Sequence, residues 1–135
     1  MSASENKQLL RTAFDAWGTG DIRPLIAAMA DDVTWTVGGH TSWSGSFRGK
    51  DSVRRDLLAP LGEQFDGTYT STASRFVAED DVVVVETRGS VATKAGARYD
   101  NQYCFVVRLE GGRIREITEY LDTQLVAEVL PDLAR

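Results

Sequence analysis

The sequence predicts an α+β fold, a single domain in which helices come first and an antiparallel run of strands follows. Three observations carry this. Apolar residues recur at helical spacing through the first sixty positions. They alternate with polar residues through most of the remainder, and glycine or acidic turn signals separate the alternating runs. The 135 residues are enough for one domain. They are 42% hydrophobic and 26% charged, a globular composition.

Ser4 is placed to cap a first helix, along which Leu9, Leu10, Ala13, Phe14 and Trp17 share one face. Gly18 and Gly20 end it. Asp21 is placed to cap a short helix over 22–29, with Pro24 tolerated in its first turn. Residues 33–37 (VTWTV) alternate as a strand does. A glycine- and serine-rich loop, 38–49, then carries His40, Trp43 and Phe47. A third helix over 50–61 is apolar at Val53, Leu57, Leu58 and Leu61. Strands follow over 64–77, 82–93, 98–109 and 113–121, with turns at 79–81, 95–96 and 111–112. A closing helix over 124–130 is stopped by Pro131.

Composition excludes several function classes. Fifteen basic against twenty acidic residues give a net charge of −5, which leaves no basic face for nucleic acid. No apolar run approaches the ~20 residues a bilayer span needs. The opening MSASENKQLL lacks the basic-then-apolar form of a signal peptide. Cys104 is the one cysteine, so no intrachain disulfide or thiolate zinc site can form. The expectation is a soluble, cytoplasmic protein with neither metal nor cofactor.

The Gly111-Gly112 pair is the clearest turn signal. A regular two-residue turn there pairs Glu110 with Arg113, Val106 with Ile117, Cys104 with Glu119 and Gln102 with Leu121. Glu119 then shares a face with apolar neighbours, and desolvation would raise its pKa into the range of a general acid or base. The alternative is an exposed glutamate paired with an arginine. One residue of slip flips every side chain, and so decides which face Glu119 occupies.

Motifs along nearly the whole chain are similar to a known family. They are the helix end Ala16-Trp17-Gly18-Thr19-Gly20-Asp21, the run Met29-Ala30-Asp31-Asp32-Val33-Thr34-Trp35, the segment Gly45-Ser46-Phe47-Arg48-Gly49-Lys50 and the last hairpin. Together they resemble the nuclear transport factor 2-like superfamily, in its SnoaL-like and ketosteroid isomerase-like branch. The resemblance implies a curved antiparallel sheet wrapped around the N-terminal helices to form a cone with an apolar pocket. It also implies a homodimer paired through the sheet. Functions on this fold are diverse, so it implies a pocket rather than a reaction.

Departures from the family narrow the chemistry. Where ketosteroid isomerases carry a base aspartate, this chain has Thr36-Val37; where they carry an oxyanion tyrosine, it has Ala13 and Phe14. Their second oxyanion acid falls near Gln102. The arginine–aspartate pair of limonene-type epoxide hydrolases falls on Thr87-Arg88-Gly89, and Arg98-Tyr99-Asp100 repeats its spacing one strand late. Glu119 does stand where these hydrolases and the SnoaL-like cyclases carry a catalytic aspartate.

His40 is the sole histidine, with an intrinsic pKa suited to proton transfer, or else a solvated loop residue. Phe14, Trp17, Trp35 and Trp43 either line a substrate pocket or fill ordinary core. Gln102 is a candidate hydrogen-bond donor to a developing oxyanion. Tyr103, Phe105 and Tyr120 form a candidate dimer patch, or pack under the chain's own helices. Two functional readings follow. One is a cofactor-independent enzyme in which Glu119 and His40 carry acid–base isomerisation, cyclisation or hydration of a small apolar or polyketide-like substrate. The other is a protein that binds a small apolar molecule without converting it.

Overall fold

Ser2, rather than Ser4, opens the first helix in the computed structural model, which describes residues 1–134. Its hydroxyl accepts the Glu5 N–H while the Glu5 carboxylate accepts the Ser2 N–H. This reciprocal cap satisfies two backbone donors at once, an arrangement open to Ser2 because an acid follows three residues later. Helix α1 (Ala3–Gly18) buries Leu10, Ala13, Phe14 and Trp17. Asp21 sits one residue before the cap position of α2 (Arg23–Ala28), where its carboxylate accepts the Arg23 N–H at 3.1 Å.

Strand β1 (Met29–Val37) starts four residues earlier than the alternation suggests. The glycine-rich loop contains a further strand, β2 (Gly45–Arg48), which pairs Phe47 with Trp35. The third helical run begins as α3 (Lys50–Ser52), widens into a π-helical turn (Val53–Leu58) and ends as α4 (Ala59–Glu63). Strands β3 (Phe65–Glu79), β4 (Val82–Thr93), β5 (Gln102–Glu110) and β6 (Arg113–Leu121) follow. Asp122 caps the closing helix α5 (Thr123–Val129), accepting the Leu125 N–H. Strand β5 begins at Gln102 rather than 98. Before it, Arg98 and Asp100 pair on the surface at 2.8 Å while Tyr99 between them is buried.

The six strands run in the order β2-β1-β6-β5-β4-β3. All neighbours are antiparallel except β1 and β6, which are parallel and correct the expectation of a wholly antiparallel sheet. Register shifts between Asp66 and Thr70, and between Ala73 and Arg75, interrupt the long β3–β4 ladder. Bulges of this kind bend a sheet, and the sheet curls around α1, which packs on β3 and β4. Among the described residues no helix is long and apolar enough to cross a membrane.

The last hairpin departs from the expected register. Gly111 and Gly112, with φ of 58° and 76°, make the two-residue turn, and Glu110 pairs with Arg113 as expected. Leu109 then faces Ile114, but Arg108 faces Glu116. Arg115 is extruded as a bulge. From there Val107 faces Ile117, Phe105 faces Glu119 and Tyr103 faces Leu121. The reason is burial. Ile114 and Ile117 are three apart, so strict alternation would put one of them in solvent. The bulge returns both to the core, where each is at most 1% exposed. The same shift dissolves the expected Tyr103, Phe105 and Tyr120 patch. Tyr103 and Phe105 turn inward at 7% and 1% exposure, and Tyr120 stands alone outside at 57%.

Candidate active site

Among the described residues, Glu119 is the one carboxylate lining a cavity of about 250 Å³ inside the cone. Two-residue alternation along β6 places it on the face of Ile117, and it is only 7% exposed. Trp35, from the parallel neighbour β1, donates its indole N–H to Glu119 Oε1 at 2.7 Å. Burial pushes the Glu119 pKa up to about 7, and the Trp35 hydrogen bond holds it from rising further. Among the described residues, no lysine, arginine or histidine lines this cavity to offset the charge.

The walls are aromatic and aliphatic. Trp17 comes from α1, Phe65 and Tyr69 from β3, and Tyr103 and Phe105 from β5. Tyr103 stacks on Phe105 with centroids 5.4 Å apart, and Trp35 meets Phe105 edge-on at 6.1 Å. Leu57 and Leu58, in the π-helical turn, both line the cavity. Gly20, Gly62 and Gly67 also contribute to its lining.

A chain of buried hydroxyls stands beside the carboxylate. The Tyr69 and Tyr103 phenols both line the cavity beside Glu119. Tyr103 donates to the Tyr99 oxygen at 3.3 Å, and Asn101 Nδ2 donates to the same oxygen at 3.1 Å. Asn101 is itself held by the Asp122 and Gln102 backbone. Burial raises the pKa of all three phenols, and the nearby Glu119 charge adds to the rise, so they keep their protons. Protonated phenols and a carboxylate that titrates near 7 form a site able to donate to an oxygen and exchange a proton with the same ligand.

The sequence candidates divide sharply. Glu119, Trp17 and Trp35 meet at the cavity. Phe14 packs in the core at 1% exposure, against Trp17 and Phe105. Trp43 is buried outside the main cavity, and its indole N–H donates to the Pro131 carbonyl at 2.9 Å. Gln102 is exposed on the other face of the sheet, because it neighbours the inward Tyr103 on β5. His40 is exposed on the loop after β1, outside the cavity lining. Tyr69, Tyr99 and Tyr103 escaped the sequence reading as site residues. The three-residue spacing of Ile114 and Ile117 was the signal for Tyr103. For Tyr69 it was two-residue spacing on β3 from Gly67 and Ser71, beside a glycine, Gly89, that leaves room for the ring.

With this geometry established, similarity to known proteins adds a context. A family model for the SnoaL-like domain matches residues 10–117. Uncharacterized protein Rv0034 of Mycobacterium tuberculosis is 32% identical over 123 residues, which cover 89% of this chain and 91% of that one. An NTF2-like protein from Burkholderia xenovorans is 27% identical, with a TM-score of 0.76 over 97% of this chain and 99% of that one. One from Burkholderia thailandensis is 25% identical, with a TM-score of 0.82 over 97% and 99%.

Proposed function

The chain belongs to the SnoaL-like domain family, with the NTF2-like fold, and on that premise we propose that it is an acid–base enzyme acting on a small apolar or polyketide-like molecule. The observation that carries this reading is Glu119: a buried carboxylate in an aromatic cavity, with one hydrogen bond from the protein and a pKa of about 7. Glu119 is the general base that takes a proton from carbon next to a carbonyl, and then the acid that returns it. Tyr69 donates to the developing oxyanion, and Trp17, Trp35 and Phe105 hold the flat apolar body. The cavity, about 250 Å³, lies at the small end of ligand sites and suits a compact substrate. His40 and Gln102 take no part, since neither reaches the cavity.

A probe that reports carbon deprotonation tests this without knowledge of the natural substrate. 5-Nitrobenzisoxazole is flat and apolar. Loss of its ring C–H proton to a carboxylate breaks the N–O bond and releases a coloured cyanonitrophenolate. The wild type should convert it roughly 10²–10⁴ times faster than Glu119→Gln. Its kcat/KM should rise with pH through an inflection near 7. Equal rates for the two proteins would remove the catalytic reading. If the probe then still quenched the tryptophans, the binding-protein reading would stand in its place.

A further inference from the structure

Next to the main cavity, and sharing Leu57, Leu61, Tyr103 and Glu119 with it, lies a second space of about 20 Å³. Its polar lining is Glu119, Tyr99 and Tyr103; Trp43, Val126 and Leu130 are among its apolar walls. A space of that size holds one water when two to four polar groups are in reach, and three polar residues line this one. We propose that this cavity is a water site, and that the water ties the Glu119 carboxylate to the Tyr103–Tyr99–Asn101 chain, with Tyr99 as a positioning residue.

The hydrogen-bond inventory supports a defined orientation. The Tyr99 oxygen already accepts from Asn101 Nδ2 and from the Tyr103 hydroxyl. Its own proton is therefore available to donate into the cavity. The water accepts that proton and keeps two of its own, one for Glu119 and one for the Tyr103 oxygen. That makes three hydrogen bonds, the usual complement of a buried water. The bond to Glu119 favours the ionised form, as the Trp35 N–H does. The carboxylate is thereby kept from becoming too weak an acid to give up its proton near neutral pH.

The groups facing Glu119 leave few other causes for a shift. The titratable ones are Tyr69 on β3, Tyr99 before β5 and Tyr103 on β5. Strand β1 presents Trp35 and Val37, the 50–63 run presents Leu57 and Leu61, and α5 presents Val126, none of them titratable. The catalytic consequence rests on the acid–base reading of Glu119 above. The water site is therefore tested through the titration of Glu119 itself, followed by NMR of carboxyl-labelled glutamate with no substrate present.

Two variants are compared. Tyr99→Phe removes the donor to the water. Val126→Ile removes no polar group but adds a methylene to the wall, expelling the water. Each should raise the Glu119 midpoint by about one pH unit, the scale of one hydrogen bond to a charged group. A purely structural role for Tyr99 would lower the melting temperature and leave the midpoint in place. If Val126→Ile raises the melting temperature with the midpoint unmoved, the cavity is a dry void and the proposal falls. Shifted midpoints in a protein without benzisoxazole turnover would keep the water site and remove the catalytic reading. Turnover with unmoved midpoints would do the reverse.

Discussion

The indole N–H of Trp35 reaches the Glu119 carboxylate at 2.7 Å because β1 and β6 run parallel, with Trp35 opposite Ile117 and Val37 opposite Glu119. Both side chains leave the same face of the sheet, two positions apart in register. An antiparallel neighbour in place of β1 would carry a different set of residues past Glu119. The single parallel pair in the sheet thus supplies the carboxylate's one protein hydrogen bond. It also separates the two influences on its acidity: burial raises the pKa, and Trp35 lowers it.

Glu119 should make the fold less stable as pH rises. Its ordinary pKa is 4.5, and in the folded protein it is about 7. Between those values the folded state holds a proton that the unfolded state has lost, so stability falls across that window and is level above it. The full difference is roughly 3 kcal/mol. Glu119→Gln keeps an acceptor for Trp35 and cannot ionise. It should match the wild type below about pH 4 and exceed it by roughly that amount above about pH 8. Urea melts across the range check this; parallel curves would show that Glu119 titrates as a solvated glutamate.

Trp35→Phe should move Glu119 further from its ordinary value. Losing the N–H removes the one protein group that favours the charged form, so the carboxyl NMR midpoint should rise by about one pH unit. The lost ring volume should also cost about 1–3 kcal/mol. A midpoint that fell instead would mean the carboxylate had become hydrated.

Gly62 lies at the exposed edge of the cavity lining, within α4, and a Cβ added there would meet nothing within 4 Å. Helix propensity then acts alone. Gly62→Ala should stabilise the protein by up to ~1 kcal/mol. Gly62→Phe, by projecting a ring across the opening, should lower kcat/KM for the benzisoxazole probe while leaving the Glu119 titration in place. Unchanged probe kinetics would place the entrance elsewhere.

Gly89 on β4 makes room for Tyr69. A Cβ there would overlap the Tyr69 hydroxyl and lie 2.8 Å from a ring carbon. Gly89→Ala should therefore displace the phenol and cost about 1–3 kcal/mol. The ultraviolet difference spectrum of the tyrosines should report the movement. A variant as stable as the wild type, with an unaltered spectrum, would show that the ring shifts freely.

Much of the fold was legible locally. Helical spacing marked α1, alternation marked β4 and β6, and the Gly111-Gly112 pair marked its turn, because each depends on neighbours in sequence. Alternation alone also placed Glu119 on the face of Ile117, whichever residues of β5 lay opposite. The residues met across the sheet were decided by tertiary structure. Ile114 and Ile117 both had to be buried, so Arg115 was extruded, and Glu119 met Phe105 rather than Cys104. That one-residue shift turned Tyr103 inward beside the carboxylate. The parallel seating of β1 brought Trp35 across from a position 84 residues away. His40 and Gln102 had suitable chemistry but no means in sequence of showing which way they point. Residue type and period are properties of a short stretch of chain. The partner of a buried carboxylate is settled by how distant strands pack together to fill a common core.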